Sequence, residues 1–160
     1  MILPVLEYCG YLYNGITNVQ HKRLQTVQNR CLRVCLNVKL KYPVVDLHSD
    51  CAAAYLCERF DLQLFLLLHK YLYGGKHNHV QLGLVFHEPL SGGRTTRSHD
   101  TAILDYPTHS KMGYKRSPLY RGVDLWNSMN ASCRLATNKD TFRAKAKVKI
   151  AALLAAKRLK

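Results

Sequence analysis

A mainly α fold, a small helical domain of about four helices with a long basic loop between the second and third, is predicted here on three observations. The 160 residues suffice for one ordinary domain and are too few for two well-buried cores. Apolar residues recur at helical spacings of three and four in separate stretches. Gly and Pro, the residues that break helices, concentrate between Gly74 and Pro118.

The first helix spans residues 18–37, where Leu24, Val27, Cys31 and Val34 follow at spacings of 3, 4 and 3 and Leu32 and Cys35 widen the stripe. Thr17 or Asn18 caps its start, because a side-chain oxygen there accepts from the unpaired N–H groups of the first turn. Asn37 ends it. Tyr42-Pro43 forces an extended residue before the proline, after which residues 44–48 form a short helical turn. The second helix starts near Ser49 or Asp50, a further pair of capping residues, and runs to Tyr71 or Leu72 before Gly74-Gly75 stops it. Leu62, Leu64, Phe65, Leu66, Leu67 and Leu68 leave few polar positions in its last turns, so that portion is expected to be buried on more than one side, and the helix is the candidate for the core.

Residues 75–117 hold Gly83, Pro89, Gly92-Gly93, Pro107 and Gly113 and read as a loop, and a loop of that length is functional or disordered. Ser117-Pro118, an N-cap followed by a first-turn proline, opens the third helix through Val123, Leu125 and Trp126 to Met129. The fourth spans residues 139–159. Regions 1–74, 75–117 and 118–160 thus make one domain overall. Trp126 and the tyrosines Tyr8, Tyr11 and Tyr13 read as core, since large aromatic bodies on amphipathic helices are usually buried. Tyr8, Leu12 and Ile16 also have the character of a patch packed on a neighbour.

Hydrophobic residues at 48% and charged residues at 21% match an ordinary folded domain, which argues against wholesale disorder. Charge is the anomaly: 24 Lys/Arg against 10 Asp/Glu give +14, which suggests an anionic partner. Residues 1–80 carry nine Lys/Arg and five acids, and residues 81–160 carry fifteen and five. The longest apolar stretch, residues 62–68, falls far short of the ~20 residues of a membrane span, and the first residues lack a basic lead, so no membrane and no secretion are expected. The chain reads as intracellular, nuclear or cytoplasmic, and its six cysteines as reduced thiols.

Cys31, Cys35, His48 and Cys51 come in an order that resembles a zinc knuckle. The twelve residues between Cys35 and His48 do not close a compact site, and Cys31 and Cys35 sit on the apolar stripe as small hydrophobes. His77 and His79 read as solvated. No metal and no cofactor are expected. Nucleotide-hydrolase, serine-hydrolase and zinc-protease motifs are lacking, and the ten acids include no adjacent pair to hold divalent cations for phosphoryl transfer.

Basic residues carry the positive signal. Arg23, Arg30 and Arg33, at i, i+7 and i+10, lie along one side of the first helix, away from Leu24, Val27 and Val34. Arg94, Arg97, Lys115 and Arg116 make the loop cationic. Lys145 and Lys149 belong to a last helix where eight cations between Lys139 and Lys160 face Asp140 alone. Lys and Arg on phosphates gain affinity by releasing counterions, without reading sequence, so binding to RNA, an RNA–DNA hybrid or DNA is expected to be nonspecific and salt-sensitive. A basic face docked on an acidic protein partner is the alternative.

Two segments, in order, resemble the region downstream of the polymerase domain in reverse transcriptases of non-LTR (LINE-type) retrotransposons. The first is Pro4-Val5-Leu6-Glu7-Tyr8-Cys9, then Leu24-Gln25-Thr26-Val27-Gln28-Asn29 with Arg33. The second is Thr96-Arg97-Ser98, Pro107, then Ser117 with Arg121 and Leu125-Trp126-Asn127-Ser128, followed by Phe142-Arg143 in a basic helix. The chain departs from the family at Met129-Asn130, where Leu-Pro is usual, and at Tyr13, near a frequent tryptophan. The resemblance implies a truncated, non-catalytic fragment of an RNA-directed DNA polymerase. Residues 1–74 would be a helical thumb-like region that grips template and duplex beside an upstream polymerase region, and the paired catalytic aspartates of the palm have no counterpart here.

Overall fold

The computed structural model describes residues 3–74, 84–86, 102–106 and 117–158, with side chains to residue 152. Among these, all regular structure is helical apart from one isolated bridge. The elements are α1 (Leu3–Glu7), a 3₁₀ helix (Gly10–Gly15), α2 (Asn18–Leu36), α3 (Val44–Asp50), α4 (Leu56–Tyr73), α5 (Pro118–Asn127), α6 (Ala131–Arg134) and α7 (Lys139–Arg158). The four expected long helices are α2, α4, α5 and α7. The short turn after Pro43 is present as α3.

Capping chemistry sets most boundaries. Thr17 and Gln20 form a reciprocal capping box at the start of α2, and Asn37 ends the helix in the left-handed region at φ 53°. Ser117 Oγ accepts from Tyr120 N at 3.1 Å, with Pro118 in the first turn of α5. Asn138 Oδ1 accepts from Asp140 N and Thr141 N at the start of α7.

The start of α4 differs from expectation. Ser49 and Asp50 close α3 rather than open the next helix, and residues 51–55 are non-helical, with Ala52 left-handed at φ 46°. Hydrogen bonds with side chains of α2 and α3 hold this connector. His48 Nδ1 meets Ala53 O at 2.8 Å, Gln28 Nε2 donates to Ala54 O at 3.0 Å, and Leu56 N donates to Gln25 Oε1 at 3.0 Å. No local signal specifies such a break.

The central element is α4, against which α7, the 3₁₀ helix, α5, α2 and α1 all pack. Lys70 is its one exposed residue. The main core joins Leu64, Phe65 and Leu68 of α4 to Val123, Leu125 and Trp126 of α5 and to Phe142, Ala146 and Ile150 of α7. The Trp126 ring stacks on Phe142 with centroids 5.6 Å apart, and Phe142 stacks on His69 at 4.4 Å. Two glycines permit close approach. A Cβ on Gly10 would lie 2.6 Å from Phe60 Cδ1, and one on Gly122 would lie 2.9 Å from Leu68 Cδ1.

Two pieces of the expected loop return to this core. Leu84 and Leu104 are fully buried, and Phe86 bridges Leu104. Trp126 Nε1 donates to Ala102 O at 2.9 Å, while Asn127 pairs with both backbone groups of Leu104, at 2.9 and 2.8 Å. The Trp-Asn pair therefore anchors the returning chain to α5. The rest of residues 75–117 lies outside the described residues.

Candidate nucleic-acid interface

The outer surface of α2 is not the one its apolar spacing suggests. Its buried residues are Gln28 and Leu32, whereas Val27 is 43% and Val34 80% exposed. Cys35, expected on the buried stripe, is exposed and Cys31 is half-buried. The helix docks through amides. Gln28 Nε2 donates to Ala54 O, Gln25 Oε1 accepts from Leu56 N, and Asn29 Oδ1 meets His48 Nε2 at 2.8 Å, while Gln25 Nε2 bonds Gln28 and Asn29 within the helix and orients them. Turning the buried face toward Gln25, Gln28 and Leu32 leaves the valines outside.

Arg23 and Arg30 are exposed, as their positions predict, but they share the outer face with Val19, Val27 and Val34 instead of lying apart from them. Neither arginine has an ion pair among the described residues. Arg33 turns further inward: it is half-buried, its Nη2 donates to Tyr42 O at 3.2 Å, and its Nε is buried without a partner. Tyr42 in turn donates to Asp50 at 2.7 Å, which raises the tyrosine pKa above its ordinary value, chiefly through that hydrogen bond. The loop after α2 is thus folded back on Arg33.

This arrangement brings in two cations that the spacing argument missed. Lys39 and Lys41 flank Leu40 in the loop after α2, and all three are exposed. A Lys-x-Lys pair just past a helix end bearing two arginines is a local signal that could have found them. Arg30 and Arg33 line one cavity with Val34, Asn37, Val38 and Leu40.

The cations of α7 stand differently. Lys145 is half-buried and its Nζ donates to Ser132 O at 2.6 Å, so it closes the short helix α6. Lys149 is half-buried, while Lys139, Arg143 and Lys147 are exposed. The structure packs α7 on α4 and α6, and α2 on α3 and α4, so Lys145 and Lys149 do not join the α2 cavity. Arg94, Arg97, Lys115 and Arg116, together with His77 and His79, lie outside the described residues.

Other basic groups serve the fold. Arg121 pairs with Asp61 at 3.2 Å and Asp124 at 3.5 Å, and Arg59 pairs with Glu7. Arg134, which the sequence does not mark out, is fully buried and donates to the carbonyls of Met129 and Asn127. Trp126 is fully buried, so its indole offers no surface for a base. Tyr8 is exposed, contrary to its assignment to the core. Tyr11 and Tyr13 are half-buried, and Tyr13 packs on Phe60 at 5.3 Å.

Among the described residues, no group of three or more His, Cys, Asp and Glu side chains is placed to hold a metal ion, and no helix is long and apolar enough to cross a membrane. Both ring nitrogens of His48 are engaged by Ala53 and Asn29. All six cysteines carry free thiols. Compared with protein-family models, with curated proteins and with solved structures, the chain finds no match.

Proposed function

We propose that this chain is a non-catalytic, nucleic-acid-binding helical domain, equivalent to the thumb and downstream region of a non-LTR retrotransposon reverse transcriptase. It holds the phosphate backbone of RNA, an RNA–DNA hybrid or DNA without reading bases. The observation that carries this reading is the cationic outer side of α2. There Arg23 and Arg30 stand exposed without ion pairs among the described residues and lead to Arg33 and the Lys39–Lys41 loop. Guanidinium and ammonium groups in that state exchange small counterions for phosphates. Within the same reading, catalysis belongs to an upstream polymerase region with paired aspartates, while Glu7, Asp61 and Asp124 of this chain serve as ion-pair partners.

A filter-binding titration against an RNA–DNA hybrid tests it. Micromolar or tighter affinity is expected, with log K falling steeply against log salt. Absence of binding, or binding indifferent to salt, contradicts it.

The exposed Val19, Val27 and Val34, set among the arginines, favour a second reading in which α2 docks on an acidic protein surface with apolar positions of its own. Under that reading polyglutamate competes for the chain as well as RNA of equal charge does.

A further inference from the structure

The last turn of α2 and the loop that follows form an open cavity of about 530 Å³, lined by Arg30, Arg33, Val34, Asn37, Val38 and Leu40. Its lining divides chemically into two guanidinium groups, one amide and three aliphatic side chains, with no carboxylate among them. The C-terminal end of a helix ordinarily presents partial negative charge. Here that charge is taken up internally: Asn37 N–H bonds the carbonyls of Arg33 and Val34, and Val38 N–H reaches back to Arg33 O at 3.1 Å. This closure leaves the arginines to set the potential of the site.

Arg33 is held in place and incompletely satisfied. Tyr42 O accepts from its Nη2, while its buried Nε–H has no acceptor among the described residues. Guanidinium N–H groups bind phosphate in parallel pairs, and Arg30 and Arg33 both line this cavity with no carboxylate beside them, so an anionic group there would meet two guanidinium groups. At the cavity, Val34 is 80% and Leu40 79% exposed, and Lys39 and Lys41 stand on either side of Leu40. An inorganic anion would use the arginines and leave these aliphatic groups uncovered. A duplex keeps its bases stacked inside and offers mainly phosphates. An unpaired nucleotide offers both an anion and a flat apolar face.

We propose that this cavity holds one nucleotide of an unpaired strand, with its phosphate against Arg30 and Arg33 and its base against Val34, Val38 and Leu40. The volume lies within the usual range for small-ligand sites. The proposal rests on the nucleic-acid reading above and narrows it to a strand type and a position.

The test measures fluorescence anisotropy of the full chain with a single-stranded RNA decamer and with the matching RNA–DNA duplex, at one salt concentration. Two variants accompany the wild type, Leu40→Ser and Arg33→Gln. Because Leu40 is exposed, its serine variant keeps the fold, and equal melting temperatures check this. Tighter binding of the single strand is expected, with Leu40→Ser weakening that strand about fivefold and leaving the duplex within about twofold. Arg33→Gln should weaken the single strand more than the duplex. Equal affinity for both nucleic acids, with neither changed by Leu40→Ser, overturns the nucleotide site while the backbone-binding reading stands. Polyglutamate binding that depends on Leu40 overturns it in favour of an acidic peptide. Failure of both nucleic acids to bind overturns the site and the general reading together.

Discussion

Helices α5 and α7 meet α4 through an apolar core that gathers Trp126, Phe142, Phe65 and Leu68 in one cluster, whereas α2 meets the start of the same helix largely through amides. Burial of apolar area holds the first contact and is insensitive to detail, since any side chain of similar volume retains most of it. Two hydrogen bonds hold the second, Gln28 donating to Ala54 O and Gln25 accepting from Leu56 N, and each depends on position and partner. The helix that carries the candidate interface is thus the one attached by the more specific and less robust seam. A stable core therefore fixes the scaffold, and a polar seam fixes the register of the arginines on it.

Removing a core anchor should have the largest effect. Trp126→Ala is expected to cost about 3–5 kcal/mol in chemical denaturation, through the cavity left and the lost hydrogen bond to Ala102. A cost below about 1 kcal/mol would place the main stabilisation elsewhere. Arg134→Met should cost about 2–4 kcal/mol, because it leaves the buried carbonyl of Met129 and the half-buried one of Asn127 without this donor. Gln28→Ala separates the two regions. It should cost about 1–3 kcal/mol and raise hydrogen exchange in α2 while amides of α4 and α7 stay protected. Uniform exchange across all helices would mean that the seam and the core unfold as one unit.

The smallest effect concerns pH. His21, on the inner side of α2 near Phe60, has its pKa lowered from 6.5, first by desolvation, with Asp61 and the Tyr13 backbone opposing and Arg121 assisting. The unfolded chain then binds the proton more readily than the native one. The contribution is complete above pH 6.5 and is lost as pH falls through the lower native value. A melting temperature that drops from pH 7 to pH 5 is expected, with a smaller drop in His21→Gln. An equal drop in both would assign the effect to other groups.

How much of this was legible in the sequence depended on the same contrast. The four long helices are legible because Thr17, Ser117 and Pro118 signal ends locally and because residues 62–68 of α4 have few polar positions. The buried face of α2 was misread because its inward positions include Gln25 and Gln28, which periodicity counts as polar, while exposed Val27 and Val34 supply the false stripe. The break at residues 51–55 contains neither Gly nor Pro. It exists because distant side chains hold its carbonyls. Of the candidate site, the exposure of Arg23 and Arg30 is legible from their charge, but their face is not, because helical spacing sets them apart from Val27 and Val34, beside which they stand. The half-burial of Arg33, the use of Lys145 to close α6 and the burial of Arg134 depend on chain segments that meet only in the fold.

Salt dependence measured on paired variants tests the central claim most directly. If the exposed arginines of α2 contact phosphates, Arg23→Gln with Arg30→Gln lowers the slope of log K against log salt by about 2 on an RNA–DNA hybrid, with the melting temperature unchanged. An unaltered slope and affinity in the double variant would contradict the assignment of the interface to α2.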